Sequence, residues 1–510
     1  MAQLGISVSR KVIPKELKET ADPLYEALQQ FIRNYYYKRR NALTMFWDYW
    51  RGDQTKYLRK YEGESHTEYR ERLERAVVEN QCKTTININA AFMYGLSDKI
   101  SRRAENQELN EILAKDVYYH NDMATFMMDT RLMTGITGNS LVELMVYDKA
   151  TRKPFDPKKR VEKGNFYVHY TLNDSSVTVP LPRINDRRAL GAVIKYYELE
   201  DVDEYEVLGL DFDPGVRIWI LEYVTDDLWL RWYHEGNDQA NAQLIPVFNK
   251  VGQENINPYG DVRIPFVLFK NIGDPMNLDG ESDIEDVIPL QNSLNERMTD
   301  DALVISYHAV PIVKFLKGAK MPRNFIRKRN SALEFDGEGD AEYLTWEDKL
   351  EASQKTKAET RTAISEVTQI SGLTRGNMQG AGQLRTGIGV KTMFVPDIIG
   401  VRMRRPYMMR GERELVYSTA KLYEFYGKYD FGMDYRCEIF MPEDFLGIDE
   451  WMETQVKALK IQSGMPMTQE LKEEFPELSD EQIKKLEDKL LAGALQKPGA
   501  PQDQKQLEKE

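Results

Sequence analysis

Apolar residues recur at threes and fours beyond residue 282, where Val287, Leu290, Leu294, Met298, Ala302 and Ile305 line one face of a predicted helix. Ser282-Asp283-Ile284-Glu285 has the form of a capping box, in which the Ser oxygen and the Glu carboxylate each satisfy an orphan backbone donor. The helix is therefore expected to start there. Pro289 removes one donor and clashes with the carbonyl four residues back, which predicts a kink or break in the early turns. A second helix, predicted over 345–371, has a different pattern. From Lys349 onward it carries Ala, Thr, Ser, Gln, Lys and Glu on nearly every side, with Leu350, Ile364, Val367 and Ile370 as its large aliphatics. So polar a helix bridges solvent, lines a wet cavity or packs against copies of itself. Behind it, glycines at 372, 376, 380, 382, 387 and 389 predict a mobile excursion.

Elsewhere the period changes along the chain. Residues 1–60 read as helical, with Phe31, Tyr35, Tyr36, Tyr37, Phe46, Trp47, Tyr49 and Trp50 interleaved with Arg33, Lys38, Arg39, Arg40 and Arg51. That mixture suits stacking on single-stranded nucleic acid or, as the favoured reading, a subunit or domain interface. Residues 67–130 are expected to be helical, with an apolar packing face over 87–100. Alternation from residue 140 predicts strands over 141–147, 166–170, 191–197, 216–223 and 228–233, the last two joined by a hairpin turn at Val224-Thr225-Asp226-Asp227. An apolar strand is expected over 265–269. Beyond the glycine-rich loop, 390–426 reads as a long helical region with a basic middle at Arg402, Arg404, Arg405, Arg410 and Arg413; Pro396 and Pro406 are expected to kink or divide it. A strand over 435–441 and helices over 449–462 and 480–491 follow, the last capped by Ser479 with Gln482. The tail from 496 is expected to be disordered. The fold class is α+β.

Composition narrows the uses of such a chain. Its 510 residues suit roughly three lobes, and 82 acidic against 69 basic residues leave a net charge of -13, so contact with DNA must be local or fleeting. Two cysteines, Cys82 and Cys437, form no framework of staples and suit a reducing compartment. The N-terminus lacks a secretory pattern, and the most apolar run, 302–316, is broken by His308, Pro311 and Lys314, so no membrane span is expected. Gly387-Ile388-Gly389-Val390-Lys391-Thr392 sets a valine where a phosphate-cradling loop needs its lysine. The dinucleotide fingerprint lacks its third glycine and its strand. His66, His120, His169, His234 and His308 are scattered without paired ligand spacing, so no zinc site is expected. Glu198, Glu200, Asp201, Asp203, Glu204, Glu206, Asp211 and Asp213 could attract a hard cation, but they lack a calcium-loop pattern and read better as a solvated loop. Lys314, Lys317, Lys320, Arg323, Arg327, Lys328 and Arg329 form a basic run that could meet phosphates, dock an acidic partner or solvate a hairpin.

The run IPFVLFKNIGDPMNLDGESDIEDVIPLQNSLNERMTDDALVISYHAVPIV resembles the central segment of portal proteins of tailed double-stranded DNA bacteriophages. Gly280, Ser282, Asp283, Ile284, Glu285, Asn295 and Asp300 match the pattern of that family. FWDYWRG, ITGNSLVELMVYD, ISGLTRGNMQGAGQLRTGIGVKT and an acid-rich helical end follow its order. Leu384-Arg385-Thr386-Gly387-Ile388 departs from the family's Ser-Ser-Gly-Ala, which leaves the edge of the loop open. The resemblance implies a portal-type subunit in a ring, typically dodecameric, at one capsid vertex. Residues 1–270 would form the wing, 271–307 the first stem helix with its lead-in, 308–346 the clip and 347–372 the second stem helix. Residues 373–387 would form the tunnel loop, 388–445 the wing's long helix and strand, 446–495 a helical crown and 496–510 a tail. It further implies DNA-facing loop residues at Arg375, Asn377, Gln379, Gln383 and Arg385, and partner docking by the basic run from Lys314 to Arg329 in the clip. The implied partners are further copies of the chain, double-stranded DNA, the terminase large subunit, a head-completion or adaptor protein, and the capsid and scaffolding proteins, without membrane, catalytic site, metal or cofactor. The location would be the virion, with host cytoplasm during assembly. Two alternatives remain: a metal-dependent nucleic-acid enzyme using the carboxylates of 198–213, and a virion adaptor that forms no ring.

Overall fold

Alternating apolar residues after Gly138 and helical spacing before and after them place the sheets at the middle of the chain and the helices around them. The computed structural model describes residues 23–96, 99–154, 164–199, 217–236, 245–246, 264–309, 312–316, 340–344, 349–376, 393–442 and 484. The chain divides into two units, one of Met1–Gly95 with Asn106–Arg436, the other of Leu96–Glu105 with Cys437–Glu510.

The described part of the second unit is a two-stranded antiparallel sheet, in which β1 (Ser101–Ala104) pairs with β12 (Cys437–Phe440). β12 answers the strand expected over 435–441, whereas β1 interrupts a region expected to be wholly helical. Four residues have little preference of their own, and the distant partner decides their conformation.

In the first unit, α1 (Pro23–Phe31) runs through a π-helical turn at Ile32–Tyr36 into α2 (Tyr37–Arg51). Leu28, Phe31, Ile32 and Tyr36 pack on a five-stranded sheet together with Ile194, Tyr196, Trp219, Leu221 and Trp232. Phe46 and Tyr49 enter a second core with Cys82, Ile86, Val287, Leu294 and Ile364. Phe31, Tyr36, Phe46 and Tyr49 are thus core residues of their own chain, Tyr35, Tyr37, Trp47 and Trp50 pack partly buried against the same clusters, and the apolar area they remove from water holds the helices down.

Next come α3 (His66–Glu74), opened by a complete capping box between Ser65 and Glu68, α4 (Gln81–Tyr94), α5 (Gln107–Ile112), α6 (Tyr118–His120) and α7 (Met123–Thr137). The strands are β2 (Asn139–Asp148), β3 (Phe166–Asn173), β4 (Thr178–Pro182), β5 (Leu190–Glu198), β6 (Ile218–Thr225), β7 (Trp229–Glu235), β8 (Ile245–Pro246) and β9 (Phe266–Lys270). They form a three-stranded sheet in the order β3-β2-β9 and a five-stranded sheet in the order β4-β5-β6-β7-β8. The expected hairpin joins β6 to β7, closed by Thr225 N–H on the Leu228 carbonyl at 2.8 Å. β4 was not expected, because Pro180 and Pro182 argue against a strand; it lies at a sheet edge, where a missing donor is tolerated. The two sheets meet through Leu141, Val193, Val224 and Phe266, and through a buried pair between Lys195 Nζ and Glu143 Oε2 at 2.8 Å.

α8 (Ile288–Ala309) begins six residues later than the capping-box reading placed it. Residues 283–287 are turns, and Pro289 falls in the first turn of the helix, where its missing N–H costs no intrahelical bond. The expected kink is thereby corrected to a start. β10 (Ile312–Leu316) and β11 (Asp340–Leu344) pair antiparallel, with Lys314 opposite Glu342 in register. α9 (Lys349–Thr368) follows, and then α10 (Val395–Gly427), which runs through Pro406 without dividing. Pro396 sits in the first turn of α10. On the sheet side, a Cβ at Gly411 would lie 2.4 Å from the Phe269 ring, so this glycine lets α10 lie flat on β9. At the other edge of the same sheet, Tyr170 of β3 and Thr419 of α10 share a 2.8 Å hydroxyl pair. Of the two C-terminal helices expected over 449–491, only helical Lys484 belongs to the described residues.

Candidate functional site: a buried polar seam beneath α8 and α9

The segment leading into α8 is shaped by the end of α7. Gly138 (φ +82°) and Gly280 approach so closely that a Cβ on either would meet a carbonyl oxygen of the other at 2.4 Å. Ser282 Oγ donates to the carbonyls of Ile136 and Gly135 at 2.6 and 3.2 Å, and the Asp283 amide donates to Gly135 at 2.9 Å. Ser282 thus closes the carbonyl end of α7 while its Oγ accepts from the Ile284 amide at 3.3 Å in the turns that precede α8. Asp283 is 2% exposed and accepts from Arg131 Nη2 at 2.5 Å, Asn271 Nδ2 at 2.8 Å and Arg404 Nε at 3.0 Å. Burial pushes its carboxyl up, but the charges of Arg131 and Arg404 and the Asn271 amide outweigh that and hold it at about 2. One carboxylate thereby joins α7, the lead-in to α8, and α10.

Along α8 the buried polar residues Gln291, Asn295 and Thr299 lie four apart, beside the apolar stripe that begins with Val287 and Leu294. They hold the irregular segment 76–80 that leads into α4. Gln291 Oε1 accepts from the Gln81 amide at 3.0 Å, and its Nε2 donates to the Glu79 carbonyl at 2.7 Å. Asn295 Nδ2 donates to Gln54 Oε1 at 2.6 Å, and Thr299 Oγ1 accepts from the Val77 amide at 3.2 Å. Asp300, the last residue of the family pattern, accepts from the Tyr61 hydroxyl.

α9 joins the seam through ions. Lys357 and Ser353 both reach Asp301 of α8. Arg361 grips the Glu79 carboxylate with two nitrogens, at 2.9 and 2.5 Å, and holds it below the usual carboxylate range. Beyond the helix end, Arg375 donates to Gln81 Oε1 at 2.6 Å, Thr368 Oγ1 at 2.7 Å and Thr85 Oγ1 at 2.8 Å. Burial lowers its guanidinium to about 10. Both of its Nη nitrogens are thus engaged within the chain. Asn377, Gln379, Gln383 and Arg385 lie outside the described residues. So do Lys317, Lys320, Arg323, Arg327, Lys328 and Arg329 of the basic run, while Lys314 stands on β10.

The seam offers paired charges and satisfied amides rather than a poised acid, base or nucleophile. Cys82 beside it is buried, with its thiol pushed up to about 12. His120 stacks on Tyr167, and His234 shares a 2.8 Å bond with the Tyr196 hydroxyl. Among the described residues, no group of three or more His, Cys, Asp or Glu side chains is placed to hold a metal ion. Glu198 pairs with Arg217, and the acidic run from Glu200 to Asp213 lies outside the described residues. Among the described residues, no helix is long and apolar enough to cross a membrane.

Sequence reasoning had matched Asp283 and Asn295 but missed Arg131, Glu79, Gln81, Gln291 and Thr299. Two signals were available: the four-residue polar repeat beside the apolar stripe of α8, and Arg131 as the one basic residue of α7.

Two solved structures are similar at low identity. A chain from the neck of an empty gene transfer agent particle, computed with C6 symmetry, aligns over 76% of this chain and 87% of its own, with 11% identity and a TM-score of 0.41. One from the virion of a native gene transfer agent particle aligns over 75% and 89%, with 10% identity and a TM-score of 0.40. No individually curated protein matches. The family described as phage portal protein, SPP1 Gp6-like, matches residues 29–489, a span that contains the whole seam and most of both units. The chain therefore belongs to the phage portal protein family, SPP1 Gp6-like, a structural rather than an enzymatic family.

Proposed function

We propose that this chain is one subunit of a closed ring, a dodecamer in our reading, at one vertex of a phage capsid, where double-stranded DNA enters during packaging and leaves during infection. Family membership supports the portal role, and the character of α9 carries the mechanism. Its exposed face bears Glu351, Gln354, Lys355, Ala358, Glu359 and Thr362, while Ile364 is fully buried. A helix this polar on its outer side suits a wet channel or contact with neighbouring copies. In this reading 1–270 is the wing, α8 and α9 are the stem, 308–346 is the clip, 388–445 completes the wing and 446–495 is the crown. The loop at 373–387 hangs from Arg375, its anchor, and turns Asn377, Gln379, Gln383 and Arg385 towards DNA.

The ring is passive. It supplies a channel, a loop that touches DNA and docking surfaces, while ATP hydrolysis belongs to a separate motor. An acidic chain lets a polyanion slide, since tight phosphate binding would oppose movement. The basic clip residues dock the terminase large subunit and later the head-completion protein; capsid and scaffolding proteins contact the ring during assembly in host cytoplasm. Native mass spectrometry with negative-stain imaging of the purified protein tests this. A closed ring with a central hole is expected; a compact dimer that cleaves DNA with a divalent ion would overturn the reading.

A further inference from the structure

The segment ahead of α4 is bound to α8 in an unusual way. The amides of Val77, Glu79 and Gln81 donate to the side chains of Thr299, Asn295 and Gln291 at 3.2, 3.4 and 3.0 Å. Alternate residues of one chain thus meet every fourth residue of a helix, in antiparallel order. The spacings are close, because two residues of extended chain advance about 6.6 Å and four residues of helix about 6 Å, and between Glu79 and Gln81 the strap tightens into a turn that returns the Gln81 amide to the Glu79 carbonyl at 2.9 Å. Side chains on α8 therefore offer this strap what a neighbouring strand would offer from its backbone.

The strap carries two further loads. The carboxylate of Glu79 is gripped by Arg361 of α9. The side chain of Gln81 accepts from Arg375 at 2.6 Å, and Gln81 Nε2 donates to Glu79 Oε1 at the same distance. Both helices and the start of the glycine-rich segment thus converge on five residues. The register is also bounded. Val287 precedes Gln291 by four residues and Leu303 follows Thr299 by four, so a slip of α8 by one helical turn would bring an apolar side chain opposite an end amide of the strap, leaving Val77 without its Thr299 acceptor in one direction and Gln81 with only its 2.9 Å bond to the Glu79 carbonyl in the other. A half-buried donor stranded in this way opposes the slip. The strap is consequently held in one register or released.

We propose that residues 77–81 couple the axial position of α8 to the anchoring of the segment that begins at Gly372, with Gln291 as the input and Arg375 as the output. The coupling stands on the geometry of a single subunit. Its bearing on DNA in a channel rests on the function proposed above, and the following test separates the two because it needs no DNA, capsid or motor.

Hydrogen–deuterium exchange of the full chain reads the coupling directly. Gln291→Met keeps the side-chain volume and removes both bonds to the strap. It is expected to speed exchange at the Glu79 and Gln81 amides and also at the Arg375 and Gly376 amides, whose acceptors are Ser371 and Leu373. The acceleration at 375–376 should reach about tenfold, the equivalent of one lost buried hydrogen bond. Coupling is reciprocal, so Arg375→Met should speed exchange at Val77, Glu79 and Gln81. Loosening confined to the mutated side in either variant would overturn the proposal. The Leu144 amide, bonded to the Pro265 carbonyl, serves as the internal reference; equal acceleration there would mean general destabilisation and would also overturn it. Should Gln291→Met fail to fold, Thr299→Val removes only the outermost rung and keeps the side-chain shape. A smaller acceleration at 375–376, about threefold, supports the coupling, and an unchanged rate there refutes it.

Discussion

The five-stranded sheet with α1 and the seam beneath α8 and α9 are both buried, yet they are held by opposite means. Around Tyr196, Trp219, Leu221 and Trp232 the contact is aromatic and aliphatic, so its strength follows the area removed from water and has little directional demand. In the seam, Asp283, Gln291, Asn295 and Arg361 hold their partners at hydrogen-bond distance, and each bond specifies one position along a helix. An apolar core yields gradually to substitution, whereas a polar seam keeps its register or loses it. A subunit whose helices must stay in one axial position has reason to place the second kind of contact there.

The comparison breaks most sharply at Asp283. Asp283→Ala leaves Arg131 and Arg404 buried without their carboxylate and is expected to cost about 3–5 kcal/mol in urea unfolding. In the sheet core, Leu221→Ala should cost about 3 kcal/mol, with Leu221→Met far milder, because volume rather than direction is at stake. An equal loss from both Leu221 substitutions would contradict that reading.

Acid sharpens the contrast. The carboxyl of Asp283 sits at about 2 in the fold against an ordinary 3.8, so the folded state favours its charged form. The stability it contributes is complete above pH 4 and is lost as pH falls towards 2, by about 2 kcal/mol. Glu79 and Asp301 are shifted in the same direction and add to the loss. Urea midpoints from pH 5 to 2 should fall steeply in the native protein and less in Asp283→Asn. Smaller again is Gly411→Ala, where the added methyl must push the Phe269 ring aside, costing about 1–2 kcal/mol of thermal stability. On the surface, Arg410→Ala breaks only an exposed pair with Glu414 and should change the stability of the isolated subunit by no more than about 0.5 kcal/mol.

The sheets were legible in the sequence because period-two runs and the turn at Val224-Thr225-Asp226-Asp227 are local signals. The polar character of α9 was legible for the same reason. The start of α8 was misread because the Ser282 hydroxyl, while accepting from the Ile284 amide, does so in turns that precede the helix and donates back to the carbonyls of Gly135 and Ile136. β1 escaped notice because four residues become a strand only through a partner more than 330 positions away. Nothing near Arg375 in the chain announces Gln81 and Thr85 as its acceptors. Local periodicity was readable; tertiary commitments of polar side chains were not.

The most direct test of the account is cryo-electron microscopy of the purified protein at a resolution that shows helices and large side chains. The account predicts a closed ring with the Glu351, Lys355 and Glu359 face of α9 lining the central channel and Arg375 turned back onto Gln81. A ring with α9 on its outer rim, or an assembly without a channel, would contradict it.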